Sequence, residues 1–233
     1  MKIQNPFLTL TKTERVIWIF SLCAVTVGFL CSEQKDPLSL LASLVGVTAL
    51  IFVSKGNVTG QILTVFFSLL YGIISYQMRY FGEMITYLCM SAPAAIFATV
   101  SWLRHPYREK KDEVEIADMN AKKWAALVCA TALVTFLFYF LLAWLGTENL
   151  YVSTLSVATS FLASALTFLR SPYYGLGYAA NDVVLIVLWL WASFKEPKYL
   201  PMILCFAAFL INDVYGFVNW RRIRLRQESG NAT

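Results

Sequence analysis

Eight long apolar runs, each about the length of a bilayer crossing, occupy most of this sequence of 233 residues. A helix needs roughly 20 mainly apolar residues to cross the hydrocarbon core of a membrane. The runs are separated by turn signals at Asp36-Pro37, Lys55-Gly56-Asn57, Ser171-Pro172 and Glu196-Pro197. Only 14% of the residues are charged, against about a quarter in soluble domains. The sequence therefore predicts an all-α integral membrane protein with about eight transmembrane helices and no water-soluble domain.

The spacing of these runs predicts where each helix lies, with ends uncertain by a few residues. We expect spans at 15–31, 38–54, 59–78, 83–103, 124–145, 149–169, 173–194 and 198–220. We interpret the first as a retained helix rather than a signal peptide, because no small-x-small cleavage site follows it. Segment 104–123 is the only long polar stretch, and we expect it to be a surface linker.

The distribution of Lys and Arg predicts the orientation in the membrane. With eight spans, the side that holds both termini and the loop at 104–123 carries 15 of the 19 basic residues. Basic residues favour the cytoplasmic side, so we expect both termini in the cytoplasm of a bacterial inner membrane. This topology also accounts for the net charge of +5, and no nucleic-acid partner is predicted.

Two stretches of the chain share landmarks at similar spacing. Lys55 precedes Gly60 by five residues, as Arg170 precedes Gly175, and each stretch closes with a tryptophan followed by arginine. One helix separates the two triplets, so both would run in the same direction. Such parallel repeats occur in transporters, which hold substrate at the repeat interface. We therefore predict a three-plus-one-plus-three arrangement preceded by an extra helix.

This arrangement divides the chain into five parts. The closing tryptophans, Trp102 and Trp220, are expected to anchor their helices at the membrane interface. The parts are an N-terminal tail and extra helix (1–37), a first repeat (38–104), a basic cytoplasmic loop and linker helix (105–148), a second repeat (149–222) and a cytoplasmic tail (223–233). For the extra helix the sequence offers no functional explanation.

Polar residues form a stripe on the third helix, with steps of three and four that place them on one face. They are Gln61, Thr64, Ser68, Tyr71 and Ser75. A polar stripe must face protein or water, because exposure to lipid is costly. Hydrogen bonding between helices and the lining of a pathway are equally good explanations. A second stripe of small hydroxyl residues on the sixth helix favours close packing.

The seventh helix carries the strongest functional signal, the dipeptide Asn181-Asp182 near its middle. A carboxylate at the centre of a transmembrane helix is a functional candidate by default. Gly175 and Tyr178 share a face with Asp182, and together they would suit a flat ring joined to a sugar, or a cationic ring. The resulting candidates for substrate binding are Asp182, Tyr178, Asn181, Gly175, Asn212, Tyr71 and Gln61.

The eighth helix repeats this dipeptide as Asn212-Asp213. Asp213 is predicted either as a functional carboxyl or as an ion-pair partner of Arg221 and Arg222. We expect it to lie far from Asp182. Glu83 opens the fourth helix, where a carboxylate interacts favourably with the helix dipole, and we interpret it as a cap.

Several of these residues resemble the Pnu family of vitamin transporters, whose best-known branch, PnuC, carries nicotinamide riboside. The similarity covers about residues 38–222. It rests on the order and spacing of Lys55-Gly56, Gly82-Glu83, Pro93, Trp102, Arg170, Asp182 and Asn219-Trp220-Arg221. The resemblance implies a SWEET-like fold, a homotrimer, and facilitated diffusion of nicotinamide riboside, with a cytoplasmic kinase trapping the product.

The sequence departs from the family pattern at two places. The family motif WxxWxxx(N/D) is represented here by Gly175, Tyr178 and Asp182, so one aromatic residue is missing. A glutamine that the family tends to place after the proline of the fourth helix is Ala95 here. Deoxynucleosides, thiamine and riboflavin therefore remain alternative substrates.

Other functional classes are weakly supported. The chain has one histidine, His105, and its five cysteines form no CxxC pair, so no metal site, cofactor or disulfide framework is predicted. An intramembrane enzyme would need a nucleophile with a base or a metal cluster, and a scaffold would not need a carboxylate at the membrane centre. We therefore expect a transporter rather than an enzyme or a scaffold, with a small molecule and the bilayer as its partners.

Overall fold

The computed structural model describes residues 6–31, 36–77, 81–108, 110–147, 149–195 and 200–231. After a short 3-10 turn, the helices are α1 (Lys12–Cys31), α2 (Pro37–Ser54), α3 (Val58–Gln77), α4 (Phe81–Ile85), α5 (Ala92–Arg104), α6 (Ala121–Trp144), α7 (Leu150–Phe168), α8 (Tyr174–Lys195) and α9 (Leu200–Asn231). Within these ranges, eight segments are long and apolar enough to cross a membrane, which confirms the predicted number of helices. The predicted helix boundaries at 78 and 198 lie outside the described residues.

The fourth crossing is not the single regular helix that we expected at 83–103. A π-helical turn, Thr86–Ser91, lies between α4 and α5. The N–H of Ala92 donates to the carbonyl of Tyr87, five residues earlier, instead of the usual four. Pro93 follows directly and lacks an N–H of its own, so the regular helical hydrogen bonds are interrupted here. The π turn rotates the side chains that precede it relative to α5.

The stretch expected to be a surface linker contains a small hairpin. Its strands, β1 (Pro106–Tyr107) and β2 (Lys110–Val114), pair antiparallel. The hairpin packs on Gln227, whose Nε2 donates to the carbonyl of Val114 at 3.0 Å, while its Oε1 accepts from the N–H of Ile116 at 2.9 Å. Gln227 belongs to α9, which continues to Asn231. The predicted helix end at 220 is therefore wrong, and 223–231 is helical rather than a free tail.

The turns that follow α2 and α7 have the same backbone geometry. In each turn one residue adopts a left-handed conformation: Gly56 with φ +68° and Arg170 with φ +58°. The carbonyls of these two residues are also both bound by the linker, which donates from the N–H of Val114 to Gly56 at 2.9 Å and from the N–H of Ala117 to Arg170 at 3.0 Å. We call the end of the bundle that holds both turns the linker end.

The hydrogen bonds inside the two turns also match. Three donor and acceptor pairs of the first turn recur in the second with both residue numbers raised by 114, whereas Lys55 N donates to Phe52 O and Leu169 N to Ala165 O. The matching bonds are Gly56 N to Val53 O and Arg170 N to Thr167 O, Asn57 N to Phe52 O and Ser171 N to Leu166 O, and Gly60 N to Asn57 O and Tyr174 N to Ser171 O.

Two buried tryptophans connect the ends of these helices. The indole N–H of Trp102 donates to the carbonyl of Thr167 at 3.0 Å, and that of Trp220 donates to the carbonyl of Val53 at 2.9 Å. The two rings lie 5.3 Å apart, and both side chains are almost fully buried. Their expected role as interface anchors is therefore wrong, because they belong to the protein core at the linker end.

Helix α1 is held against the bundle by polar contacts rather than by apolar packing alone. Glu14 is buried and accepts a hydrogen bond from the hydroxyl of Tyr215 on α9 at 3.3 Å. Its other carboxylate oxygen lies 3.4 Å from the Lys55 ammonium. Farther along α1, Trp18 donates to the hydroxyl of Thr48 on α2 at 3.1 Å. These contacts tie α1 to both α2 and α9.

Candidate functional site

The centre of the bundle contains a pair of acidic side chains, Asp182 on α8 and Asp213 on α9. Each is only 3% exposed, and their carboxyl groups are in hydrogen-bond contact. Such a bond requires a proton on one of the two groups, because two ionised carboxylates repel each other. The expectation that the two carboxyls lie far apart is therefore wrong. Of the two predictions for Asp213, this contact favours a functional carboxyl over an ion pair with Arg221 or Arg222.

The contact follows from the geometry of a helical hairpin. Asp182 lies thirteen residues before the end of α8 at Lys195, and Asp213 lies thirteen residues after the start of α9 at Leu200. In antiparallel neighbouring helices joined by a short connection, residues equally far from the connection lie opposite each other. Asp182 is also near the middle of its candidate span, Tyr174–Trp191. The pair therefore lies deep in the bundle.

One oxygen of this pair is available to a ligand. Among the described residues, the Oδ2 atom of Asp182 is buried and has no hydrogen-bond partner. An unsatisfied buried carboxylate oxygen is costly, so its presence indicates a place where another group binds. The electrostatic neighbours of Asp182 include Tyr178, Tyr87 and Cys205, which belong to α8, the π turn and α9 respectively.

Tyr178 lies one helical turn before Asp182, as the sequence predicts. Its hydroxyl is 3.1 Å from the Oγ of Ser164 on α7, and it lies within electrostatic range of both carboxyl groups. The Ser164 contact fixes the orientation of the phenol ring. Tyr178 can therefore present a ring face beside the carboxyl pair while its hydroxyl is held elsewhere.

Helix α3 and the π turn contribute a group of aromatic side chains. The rings of Tyr71 and Tyr87 lie 4.4 Å apart, and Phe67 contacts both at 5.7 and 5.9 Å. The hydroxyl of Tyr71 donates to Glu83 at 3.2 Å, a contact that the interpretation of Glu83 as a cap did not anticipate. We call Phe67, Tyr71 and Tyr87 the aromatic cluster. Sequence reasoning identified only Tyr71, because the π turn that orients Tyr87 was not foreseen.

The other predicted site residues make contacts of different kinds. The side-chain carbonyl of Asn181 accepts three hydrogen bonds from α7, from Ser156, Thr159 and Ser160 at 2.9 to 3.2 Å. Asn212 donates to Ser21 on α1 at 2.7 Å. Both amides therefore face neighbouring helices rather than the carboxyl pair.

Gly175 and Gln61 lie nearer the linker end. A Cβ atom on Gly175 would lie 2.5 Å from the carbonyl oxygen of Asp213 and 2.7 Å from the backbone nitrogen of Phe217. This glycine therefore allows α8 and α9 to approach closely, and a side chain there would not simply fill a pocket. Gln61 is buried in the first turns of α3, two helical turns before Ser68.

The described residues hold no group of three or more His, Cys, Asp and Glu side chains arranged to bind a metal ion. The chemistry available at the centre is hydrogen-bond acceptance by carboxyl oxygens beside aromatic ring faces. That combination can bind a flat ring that carries hydroxyl groups or a positive charge.

Comparison with known proteins agrees with this chemistry. The family model described as "Nicotinamide mononucleotide transporter" matches residues 36–222. A protein named nicotinamide riboside transporter PnuC, from Neisseria mucosa, is 24% identical over 218 residues, covering 92% of this chain and 82% of its own length. A protein of the same name from Haemophilus influenzae is 22% identical over 223 residues, covering 95% and 96%.

A solved structure shows the same fold. It is described as the crystal structure of the vitamin B3 transporter PnuC, and it matches with a TM-score of 0.80 and 26% sequence identity over 94% of each chain. These relatives are transporters, not enzymes. Because the family model spans most of the chain, this multi-pass membrane protein belongs to the nicotinamide mononucleotide transporter family.

Proposed function

We propose that this chain carries nicotinamide riboside across the bacterial inner membrane, and that the substrate binds at Asp182. The observation that supports the site best is the unpartnered Oδ2 atom of Asp182, buried between α8, α9 and the aromatic cluster. The substrate itself is suggested by the relatives, two of which are named nicotinamide riboside transporters.

In the proposed complex the two ends of the substrate have different partners. Ribose hydroxyls donate to the carboxyl oxygens of Asp182, which can accept several hydrogen bonds. The nicotinamide ring packs between Tyr178 and Tyr87 of the aromatic cluster. Asn181, Asn212 and Gly175 support the site indirectly, because they fix α7, α1 and α9 against the helices that bear the carboxyls.

We further propose that the fold is a parallel three-plus-one-plus-three repeat with α1 as an additional helix. In this proposal the first repeat is 38–104, the second is 149–222, and α6 joins them. The matching turns after α2 and α7 support it, as do the reciprocal bonds of Trp102 and Trp220. The two repeats would tilt about the tryptophan contact, opening the site alternately to each side.

The topology and assembly are also proposals. The linker end carries most of the basic residues, so we propose that it faces the cytoplasm together with both termini. The resemblance to the Pnu family suggests a homotrimer. Transport would be facilitated diffusion, since a carrier needs only a site whose access alternates.

Uptake into proteoliposomes tests the proposed substrate. The purified protein is reconstituted without an ion gradient, and labelled nicotinamide riboside, a deoxynucleoside, thiamine and riboflavin are offered separately. We expect saturable entry of nicotinamide riboside, which protein-free liposomes do not show. Entry of another compound instead would overturn the assignment and would make Gly175 and Ala95 marks of a different substrate branch.

A further inference from the structure

We propose that Asp182 and Asp213, sharing one proton, act as a counter-ion of a single negative charge that selects a cationic ring over its neutral form. The inference rests on the proposed function, because it names the feature of the substrate that the site recognises. Nicotinamide riboside in its oxidised form contains a positively charged pyridinium ring. Its reduced form, 1,4-dihydronicotinamide riboside, has almost the same shape and the same hydroxyl groups but no charge.

The charge of the pair follows from its geometry. Two carboxyl groups in hydrogen-bond contact need a proton on at least one of them. In this proposal the pair holds one proton and the other group carries the negative charge. The pair is thus a unit with one charge, not two independent anions. A pKa measured for either residue would therefore describe the pair and not that residue alone.

The groups around the pair do not neutralise this charge. The titratable groups within electrostatic range of the pair are Tyr174 and Tyr178 on α8, Cys205 on α9 and Tyr87 in the π turn. Beyond Tyr87 lies Glu83, which accepts a hydrogen bond from Tyr71 and also brings no positive charge. The tyrosine and cysteine groups are neutral hydroxyls and a thiol, so none of these neighbours contributes a positive charge. A negative charge buried without a cation is unfavourable, so the site is suited to a ligand that brings one.

The aromatic cluster favours the same kind of ligand. Tyr87 lies within electrostatic range of Asp182, and Tyr71 packs against Tyr87 with ring centroids 4.4 Å apart. The negative face of an aromatic ring attracts a cation. A positive charge on the ligand offsets the negative charge of the carboxyl pair. A neutral ring would leave the carboxylate uncompensated and would bind more weakly.

The experiment compares the affinity of the purified full-length protein for the oxidised and the reduced riboside by calorimetry. Four proteins are measured: the native chain, Asp182→Asn, Asp213→Asn and the double variant. Asparagine has nearly the same shape as aspartate, so the variants are matched in packing. We expect the native protein to prefer the oxidised form by about 100-fold, a ratio typical of one ion contact in a weakly screened site.

The variants separate a shared charge from an individual one. Each single variant keeps one carboxylate and replaces the shared proton with an amide N–H donor, so we expect its preference for the oxidised form to remain above about tenfold. The double variant has no charge at this place. We expect it to bind both forms with affinities within about threefold of each other.

Three results would overturn the inference in different ways. Equal binding of both forms by the native protein means that charge is not recognised, while the proposed function stands. Complete loss of the preference in one single variant means that one residue alone carries the charge. Binding of neither form by a native protein that shows a normal thermal unfolding transition contradicts the proposed function itself. If the double variant does not fold, the two single variants still decide the question.

Discussion

The helices that follow the two matching turns place residues at equivalent positions, but the side chains at those positions differ. Ser68 on α3 and Asp182 on α8 both lie twelve residues after the left-handed residue of their turn, Gly56 or Arg170. Both side chains are buried, with exposures of 1% and 3%. The matching turns therefore bring a residue of each half to a similar depth, but only the second half places a carboxyl group there.

The same difference is found on α5 and α9. Ala95 precedes Trp102 by seven residues, and Asp213 precedes Trp220 by seven. Each tryptophan is fixed to the opposite half by its indole N–H. The two positions that form the carboxyl pair in the second half, Asp182 and Asp213, are thus occupied in the first half by Ser68 and Ala95. In the proposed mechanism the two similar halves allow alternating motion, whereas the carboxyl pair in only one half provides a single place for the substrate.

The largest expected effect comes from removing the carboxyl group of Asp182. Removing the hydroxyl group of Ser68, at the equivalent place in the other half, is the control. Asp182→Ala should lower nicotinamide riboside uptake at low substrate by about 10- to 100-fold. Hydrogen bonds to a charged group are worth about 1.5–3 kcal/mol, and each 1.4 kcal/mol is tenfold. Ser68→Ala is the matched control, because Ser68 Oγ is buried and unpartnered among the described residues, and it should change uptake less than about threefold. Initial rates in proteoliposomes give both values, and equal losses would show that depth rather than charge matters.

A smaller effect should be shared equally by the two halves. Trp102→Phe and Trp220→Phe each remove one indole N–H and part of a buried ring. The lost hydrogen bond and the space left behind should together cost about 1–3 kcal/mol in each variant. Thermal unfolding in one detergent should show both midpoints falling by similar amounts. Trp144→Phe is the control, because Trp144 is 81% exposed and should leave the midpoint nearly unchanged. A large decrease of the unfolding midpoint in only one of these two variants would mean that the two tryptophan contacts contribute unequally to stability.

Much of the fold could be predicted because bilayer crossings have a characteristic length and composition. The runs of apolar residues define eight crossings, and turn signals such as Lys55-Gly56-Asn57 mark where they end. The π turn at Thr86–Ser91 could not be predicted, since it depends on which hydrogen bonds form around Pro93. The extension of α9 to Asn231 was also missed, because its polar sequence is stabilised by contacts with the hairpin around Gln227.

Only part of the site could be predicted from the sequence. Asp182 and Tyr178 stand out, because a carboxylate within an apolar helix needs an explanation. Asp213 looked like an ion-pair partner because Arg221 is near in sequence, yet the antiparallel register of α8 and α9 places it against Asp182. Equal distance from the connection between the two helices was the signal that could have revealed the pair. The contact between Asn212 and Ser21 on α1 had no such signal, as it joins residues far apart in the chain.

The smallest expected effect lies at the starts of α2 and α7, where the two halves differ again. Asp36 caps α2 by accepting hydrogen bonds from the N–H groups of Leu38 and Ser39 at 3.1 and 3.0 Å. Asn149, at the start of α7, makes no side-chain capping bond and has a φ of +54°. Asp36→Ala should therefore destabilise the protein by about 1 kcal/mol, the usual value of an N-cap, whereas Asn149→Gly should be neutral or slightly stabilising.

Acidification distinguishes the cap from any other role of Asp36. The hydrogen bond from the Ser39 hydroxyl, with help from the backbone N–H groups, holds the pKa of Asp36 below its ordinary value of 3.8. Stability from a carboxyl with a lowered pKa is present above the ordinary pKa and is lost as the pH falls through the folded-state value. Asp36→Asn keeps a capping oxygen but cannot titrate. The unfolding midpoint of the native protein should therefore decrease relative to that of Asp36→Asn below about pH 4, and parallel curves would show that Asp36 does not cap α2 through its charge.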